Sequence, residues 1–264
     1  MELRAQALIC LAQTDFLQKT KFVNDLISAW QSGNCNLDTK VLFRPPNNIP
    51  GQPTKPDLVS PKDVKRRNMR TLEGRAVMIH ALAHIEFNAI NLALDVIWRF
   101  ANMPEQYYSD WLKVAAEEAY HFTLLNDHLI KMGYIYGDFP AHNSLWEMAA
   151  RTADDILARI ALVPRTMEAR GLDASPPLRS KVAQVGDMEA AGILDIILRD
   201  EIGHVSIGNH WFNWLCKTRN LDPINTYAEL AQRYEAPTPR KPFNHQARLA
   251  AGFTEQELVW LENA

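Results

Sequence analysis

Residues 116–128, AEEAYHFTLLNDH, and residues 199–211, RDEIGHVSIGNHW, carry one pattern twice: an acid, then Glu-x-x-His, then an asparagine eight residues after the motif glutamate. In the first copy these are Glu117, Glu118, His121 and Asn126; in the second they are Asp200, Glu201, His204 and Asn209. At 3.6 residues per turn, positions i and i+3 share a helical face, so each carboxylate and imidazole can converge on a single cation. With fifteen glutamates and 8 histidines in 264 residues, base composition supplies about half of one such pair by chance. A lone pair would read as a solvated helix surface. Two pairs with matching neighbourhoods point to a duplicated half-site.

Working outward, Glu86 precedes Glu118 by 32 residues and Glu168 precedes Glu201 by 33, while 50 residues separate Glu118 from Glu168. That spacing predicts two helical hairpins joined by a longer crossover. It also matches the ligand pattern of a two-metal site in a helix bundle, one Glu from each of two helices and Glu-x-x-His from each of the other two. Glu86 is centred on an apolar stripe that includes Leu82, Ala83, Ala89, Ile90, Ala93 and Ile97, where an acid needs a partner. Glu168 is followed closely by Gly171 and Pro176-Pro177, which predict a helix end; Asp155 is the alternative ligand on that side.

Breakers divide the rest. Residues 1–31 read as one or two helices, and the proline-rich stretch 33–61 reads as an irregular arm. Long helices are predicted from about 62 to 101, 107 to 131, 145 to 170 with a kink at Pro164, and 187 to 218. The fold class is therefore all-α, a four-helix bundle over 62–218, with an N-terminal segment 1–61 and a C-terminal extension 219–264 packing on it through Phe43, Phe243, Phe253 and Trp260. Thr254 and Glu257 form a capping-box pair for a last short helix.

Composition excludes more than it selects. The chain is 47% hydrophobic and 22% charged with formal net charge -3, an ordinary globular balance that provides no field for gripping nucleic acid. Lys62, Lys65, Arg66, Arg67, Arg70 and Arg75 form the one local basic cluster. No uninterrupted apolar run reaches the length of a membrane span. Cys10, Cys35 and Cys216 form no CxxC pair, so neither a disulfide framework nor a zinc knuckle is expected. A reducing cytoplasm is the expected setting.

The motifs around these residues resemble the ferritin-like di-iron carboxylate superfamily and, more closely, the family labelled domain of unknown function 455. The resemblance lies in MIHALAHIEFNAINLALD (78–95), EEAYHF (117–122), PRTMEARGLD (164–173), DEIGHV (200–205) and KPFNHQARLAAGF (241–253). It implies a ferritin-like bundle in which Glu86, Glu118 and His121 serve one metal and Glu168, Glu201 and His204 the other. The implied cofactors are two Fe ions, with Mn or a mixed Fe/Mn pair as variants, since four carboxylates and two imidazoles suit hard divalent ions. The implied activity is an oxidoreductase that uses O2 or peroxide to oxidise or hydroxylate a small organic substrate, fed by a separate reductase. Alternatives are an iron-handling ferroxidase, a peroxide-detoxifying protein and, by a more distant likeness, a tRNA-modifying hydroxylase. Tyr120, between two ligand positions, is a candidate redox residue. A homodimer fits this reading; nucleic acid and membrane are not expected partners.

Overall fold

A computed structural model describes residues 1–44, 46–64 and 67–263. All the regular structure among them is helical, and the chain divides into two compact units, Met1–Ser144 and Leu145–Ala264.

The first unit is built on a hairpin of α3 (Leu72–Arg99) and α4 (Glu105–Lys131), against which α1 (Leu3–Ala12) and α2 (Phe16–Gln31) pack. α3 starts ten residues later than its apolar pattern predicts. Pro61 opens a 3-10 turn over Pro61–Asp63, and Asn68 then competes for the backbone: its side chain accepts from Arg70 N and its carbonyl from Thr71. Thr71 caps the helix through Gly74 N, and Gly74 is required there because a Cβ would stand 1.9 Å from the Asn68 carbonyl oxygen.

α3 is buried on most of its circumference, and by length and composition it could cross a membrane. Its most apolar window is 72% buried, the pattern of a core helix. Phe16, Phe122 and Tyr136 meet edge-on, and Phe87 packs tilted against Phe122 and Tyr136, at ring separations of 5.1 to 5.8 Å. The N-terminal helices are fastened by two buried basic side chains. Arg4 donates to Ile97 O and Trp98 O, carbonyls that the end of α3 leaves unmet, and to Asp38 O and Val41 O of the arm. Lys19 Nζ donates to Leu11 O, Gly51 O and Asn91 Oδ1. The arm thus docks, and Phe43 sits against the Arg4 guanidinium at 5.4 Å.

The second unit contains α5 from Leu145 onward (the whole helix is Ser144–Arg151), α6 (Ile156–Leu162), α7 (Arg170–Gln184), α8 (Met188–Thr218), α9 (Pro223–Arg233), α10 (His245–Ala250) and α11 (Glu255–Asn263). The kink expected at Pro164 is a π-helical turn, Val163–Glu168, in which Ala169 N donates five residues back to Pro164 O. The helix end expected after Gly171 is absent. α7 runs through Pro176 and Pro177, and the carbonyl of Leu172 that Pro176 cannot satisfy accepts instead from Asn244 Nδ2 of the C-terminal extension. That extension docks: Phe243, Ala247, Ala251, Phe253, Leu258 and Leu261 share one core with Leu172 of α7 and Val205 of α8. The Thr254–Glu257 capping box forms, with Glu257 N donating to Thr254 Oγ1 and Thr254 N to Glu257 Oε2.

Candidate metal centre

Both Glu-x-x-His pairs place their side chains on one helical face. On α4, His121 Nδ1 donates to Glu118 Oε2 at 3.3 Å; on α8, His204 Nδ1 stands 3.7 Å from Glu201 Oε1. All four residues are buried, with His121 and His204 fully so.

In the first unit, α3 adds the third donor. Glu86 is 4% exposed, and its Oε2 lies 3.4 Å from His121 Nδ1 but finds no hydrogen-bond partner. Glu86, Glu118 and His121 each bring a ligand atom within 4.8 Å of the others. Burial raises the Glu86 carboxyl well above its ordinary range, the nearby Glu118 charge raises it further, and the approach of His121 offsets this only in part. Burial alone would push His121 down; the Glu118 hydrogen bond and the close Glu118 and Glu86 carboxylates outweigh it and hold the imidazole at about 11. A proton on Nδ1 therefore does the work of a cation between two buried acids. This donor set fits a divalent metal, which would replace that proton and use the oxygen of Glu86 that nothing else satisfies.

In the second unit, Glu168 is half buried at the end of the π-helical turn, while Glu201 and His204 lie on α8. Asp155, the alternative to Glu168, spends its carboxylate capping α6 through Leu157 N and Ala158 N. The buried donors suited to a metal ion are thus Glu86, Glu118 and His121 in the first unit and Glu201 in the second.

The remaining singled-out residues have other settings. Tyr120 is half exposed on α4, its ring 6.4 Å from that of His121. Glu117 pairs with Lys113 and Asp200 with Arg199. His80 and His84, four apart on α3, do not form a ligand pair: His80 Nε2 accepts from Gly137 N, and His84 contacts the Tyr136 hydroxyl with Nδ1 and His142 O with Nε2. In the basic cluster, Arg67 pairs with Glu73 and Arg75 donates to Met69 O; Lys65 and Arg66 lie outside the described residues. The three cysteines are buried and free.

Sequence reasoning singled out Asn209 for its repeat position but missed what it holds. Asn209 Oδ1 accepts from Arg165 Nε at 2.7 Å and its Nδ2 donates to Ala251 O, tying α8 to the π-helical turn and to the C-terminal extension.

A family model described as "Protein of unknown function (DUF455)" matches residues 12–259. The chain belongs to this family. A Haemophilus influenzae protein named "Uncharacterized protein" is 50% identical over 253 residues, covering 92% of this chain and 88% of that one. No solved structure matches.

Proposed function

We propose that the protein is a di-iron carboxylate oxidoreductase of ferritin-like architecture that uses O2 or peroxide to oxidise a small organic molecule. The observation that carries this reading is the cluster of Glu86, Glu118 and His121, with one buried carboxylate oxygen unsatisfied. Burying two acids beside each other is costly unless a cation belongs between them. The duplicated spacing in the sequence supports a second set, Glu168, Glu201 and His204, for the other metal.

Bound iron would supply the electrons that reduce O2 or peroxide. The chain contributes the rest. Glu86 and Glu118 provide negative charge in an apolar setting, which favours a divalent ion over none. His121 gives up its Nδ1 proton when a cation takes that place, so loading releases protons. The apolar residues around α3 keep bulk water from the carboxylates.

Metal analysis of the protein purified without added metal, then anaerobic Fe(II) loading and exposure to O2, tests this reading. Two irons per chain and O2 uptake coupled to oxidation of an added reductant support it. Growth of a ferric mineral would replace it with iron handling, and O2 release from peroxide with peroxide disproportionation. Full metal content in both Glu118→Ala and His204→Ala would remove the site altogether.

A further inference from the structure

Two buried hydroxyls are built into the π-helical turn Val163–Glu168 of the second unit. Thr166 Oγ1 stands 2.8 Å from Ala161 O and 2.9 Å from the Tyr227 hydroxyl of α9, with Thr166 3% and Tyr227 7% exposed. Each hydroxyl carries one proton and a carbonyl can only accept, so the directions are fixed: Tyr227 donates to Thr166, and Thr166 donates to Ala161. A threonine in an α-helix bonds back three or four residues. Thr166 reaches five residues back, the same span as the π-helical bond from Ala169 N to Pro164 O. Pro164, with no N–H to offer Ile160 O, has already interrupted the α-helical ladder. In an α-helical register the Thr166 hydroxyl would turn to a nearer carbonyl, and the Tyr227 proton would lose its acceptor in a buried place. The pair therefore favours the wider turn.

That turn decides where Glu168 falls. α7 and α8 follow each other across a short connection and pack together, so they run antiparallel, and Ala169 and Leu172 share a core with Val205 of α8. Upstream, the Pro164 ring lies against Gly208. Four residues on from Pro164 is Glu168, and four residues back from Gly208 is His204, so the two come level on neighbouring segments. A register change of one residue would swing every side chain after it by about 100°.

We infer that Thr166 and Tyr227 are positioning residues for the second metal set, holding the π-helical register that brings the Glu168 carboxylate to Glu201 and His204. Both act through Glu168 and neither is itself a ligand. The inference rests on the metal reading above and adds to it the device by which a glutamate beside a helix irregularity serves as a ligand.

The test is anaerobic calorimetric titration of the full metal-free chain with Fe(II), comparing wild type with Glu168→Ala, Thr166→Val, Thr166→Ser and Tyr227→Phe. Thr166→Val and Tyr227→Phe are expected to keep the wild-type circular dichroism spectrum, to weaken one of two Fe(II) sites by about 10- to 100-fold, and to leave the other unchanged. Glu168→Ala should weaken the same site, and Thr166→Ser, which keeps the hydroxyl, should bind as wild type does. Two tight sites in Thr166→Val beside one in Glu168→Ala would overturn the inference and leave the metal reading standing. Two tight sites in Glu168→Ala, or no Fe(II) uptake by wild type, would remove the second metal set and the inference with it. Equal weakening of both sites would make the two hydroxyls merely structural and overturn their positioning role. Amide hydrogen exchange of the metal-free protein reads the register directly: Ala169 N–H should exchange about tenfold faster in Thr166→Val than in wild type or Thr166→Ser. Unchanged exchange would show that the turn holds without the hydroxyl and would overturn the inference.

Discussion

Glu86 on α3 and His121 on α4 stand 3.4 Å apart, Oε2 to Nδ1, in a place where neither is more than 5% exposed. A proton shared among Glu86, Glu118 and His121 keeps the arrangement tolerable, and a divalent cation would do so better. Glu86→Gln therefore separates the two needs. It removes a buried acid, so the chelator-treated variant is expected to unfold at the same or a higher urea concentration than wild type, by up to about 2 kcal/mol. Its metal affinity should fall by at least the roughly 10- to 100-fold that even outer-shell changes cost. A variant that binds metal normally, or is much less stable without metal, would show the carboxylate to be structural.

Arg4 supports the same helix from its other end. Four backbone carbonyls from two segments converge on one guanidinium. Arg4→Met keeps much of the hydrophobic stem and removes every donor, leaving buried acceptors unmet at about 1–3 kcal/mol each before relaxation. A loss of about 3 kcal/mol or more in urea unfolding is expected, with proteolysis of the arm near residues 38–44 appearing first.

Acid should weaken the first unit through His80. Burial holds its pKa down at about 4, against an ordinary value of 6.5. Between those values the unfolded chain binds a proton that the folded chain does not, so stability rises with pH across that window and falls on acidification, by about 1.4 kcal/mol per pH unit. Below about pH 4 both states are protonated and this slope ends. His80→Gln, which keeps an acceptor for Gly137 N, should remove the His80 share of the slope and leave the share of His84, which burial also holds down at about 4. Urea midpoints of wild type and variant measured from pH 7 to 4 should converge as pH falls, and parallel curves would show that His80 charges freely in the fold.

Much of this was legible from short-range periodicity. The i, i+3 spacing correctly set Glu118 with His121 and Glu201 with His204 on common faces, and the Thr254–Glu257 pair identified the start of α11, because both depend only on helix geometry. Glu86 was found by its spacing from Glu118 and supported by its apolar surroundings. What escaped depends on distant partners. α7 continues through two prolines because Asn244, far along the chain, supplies a donor to Leu172 O. The late start of α3 follows from how Asn68 and Thr71 pair locally, a competition that apolar spacing does not register. No sequence pattern singles out Arg165 and Arg248, yet aromatic rings and two acids hold them inside.

The π-helical turn depends in turn on a residue without a side chain. A Cβ on Gly208 of α8 would stand 2.9 Å from Cβ and 3.1 Å from Cγ of Pro164, whose ring cannot rotate away. Ala is ordinarily the better helix former by about 1 kcal/mol, as it should be at Gly192 of the same helix, where an added Cβ meets nothing within 4 Å. Gly192→Ala is thus expected to stabilise by up to about 1 kcal/mol. Gly208→Ala should destabilise by about 1–3 kcal/mol, since overpacking against a rigid ring outweighs the propensity gain. Thermal or urea unfolding of the two variants decides it: opposite signs from one substitution on one helix place the close contact at Pro164, and equal signs would show that the turn yields to accommodate the methyl group.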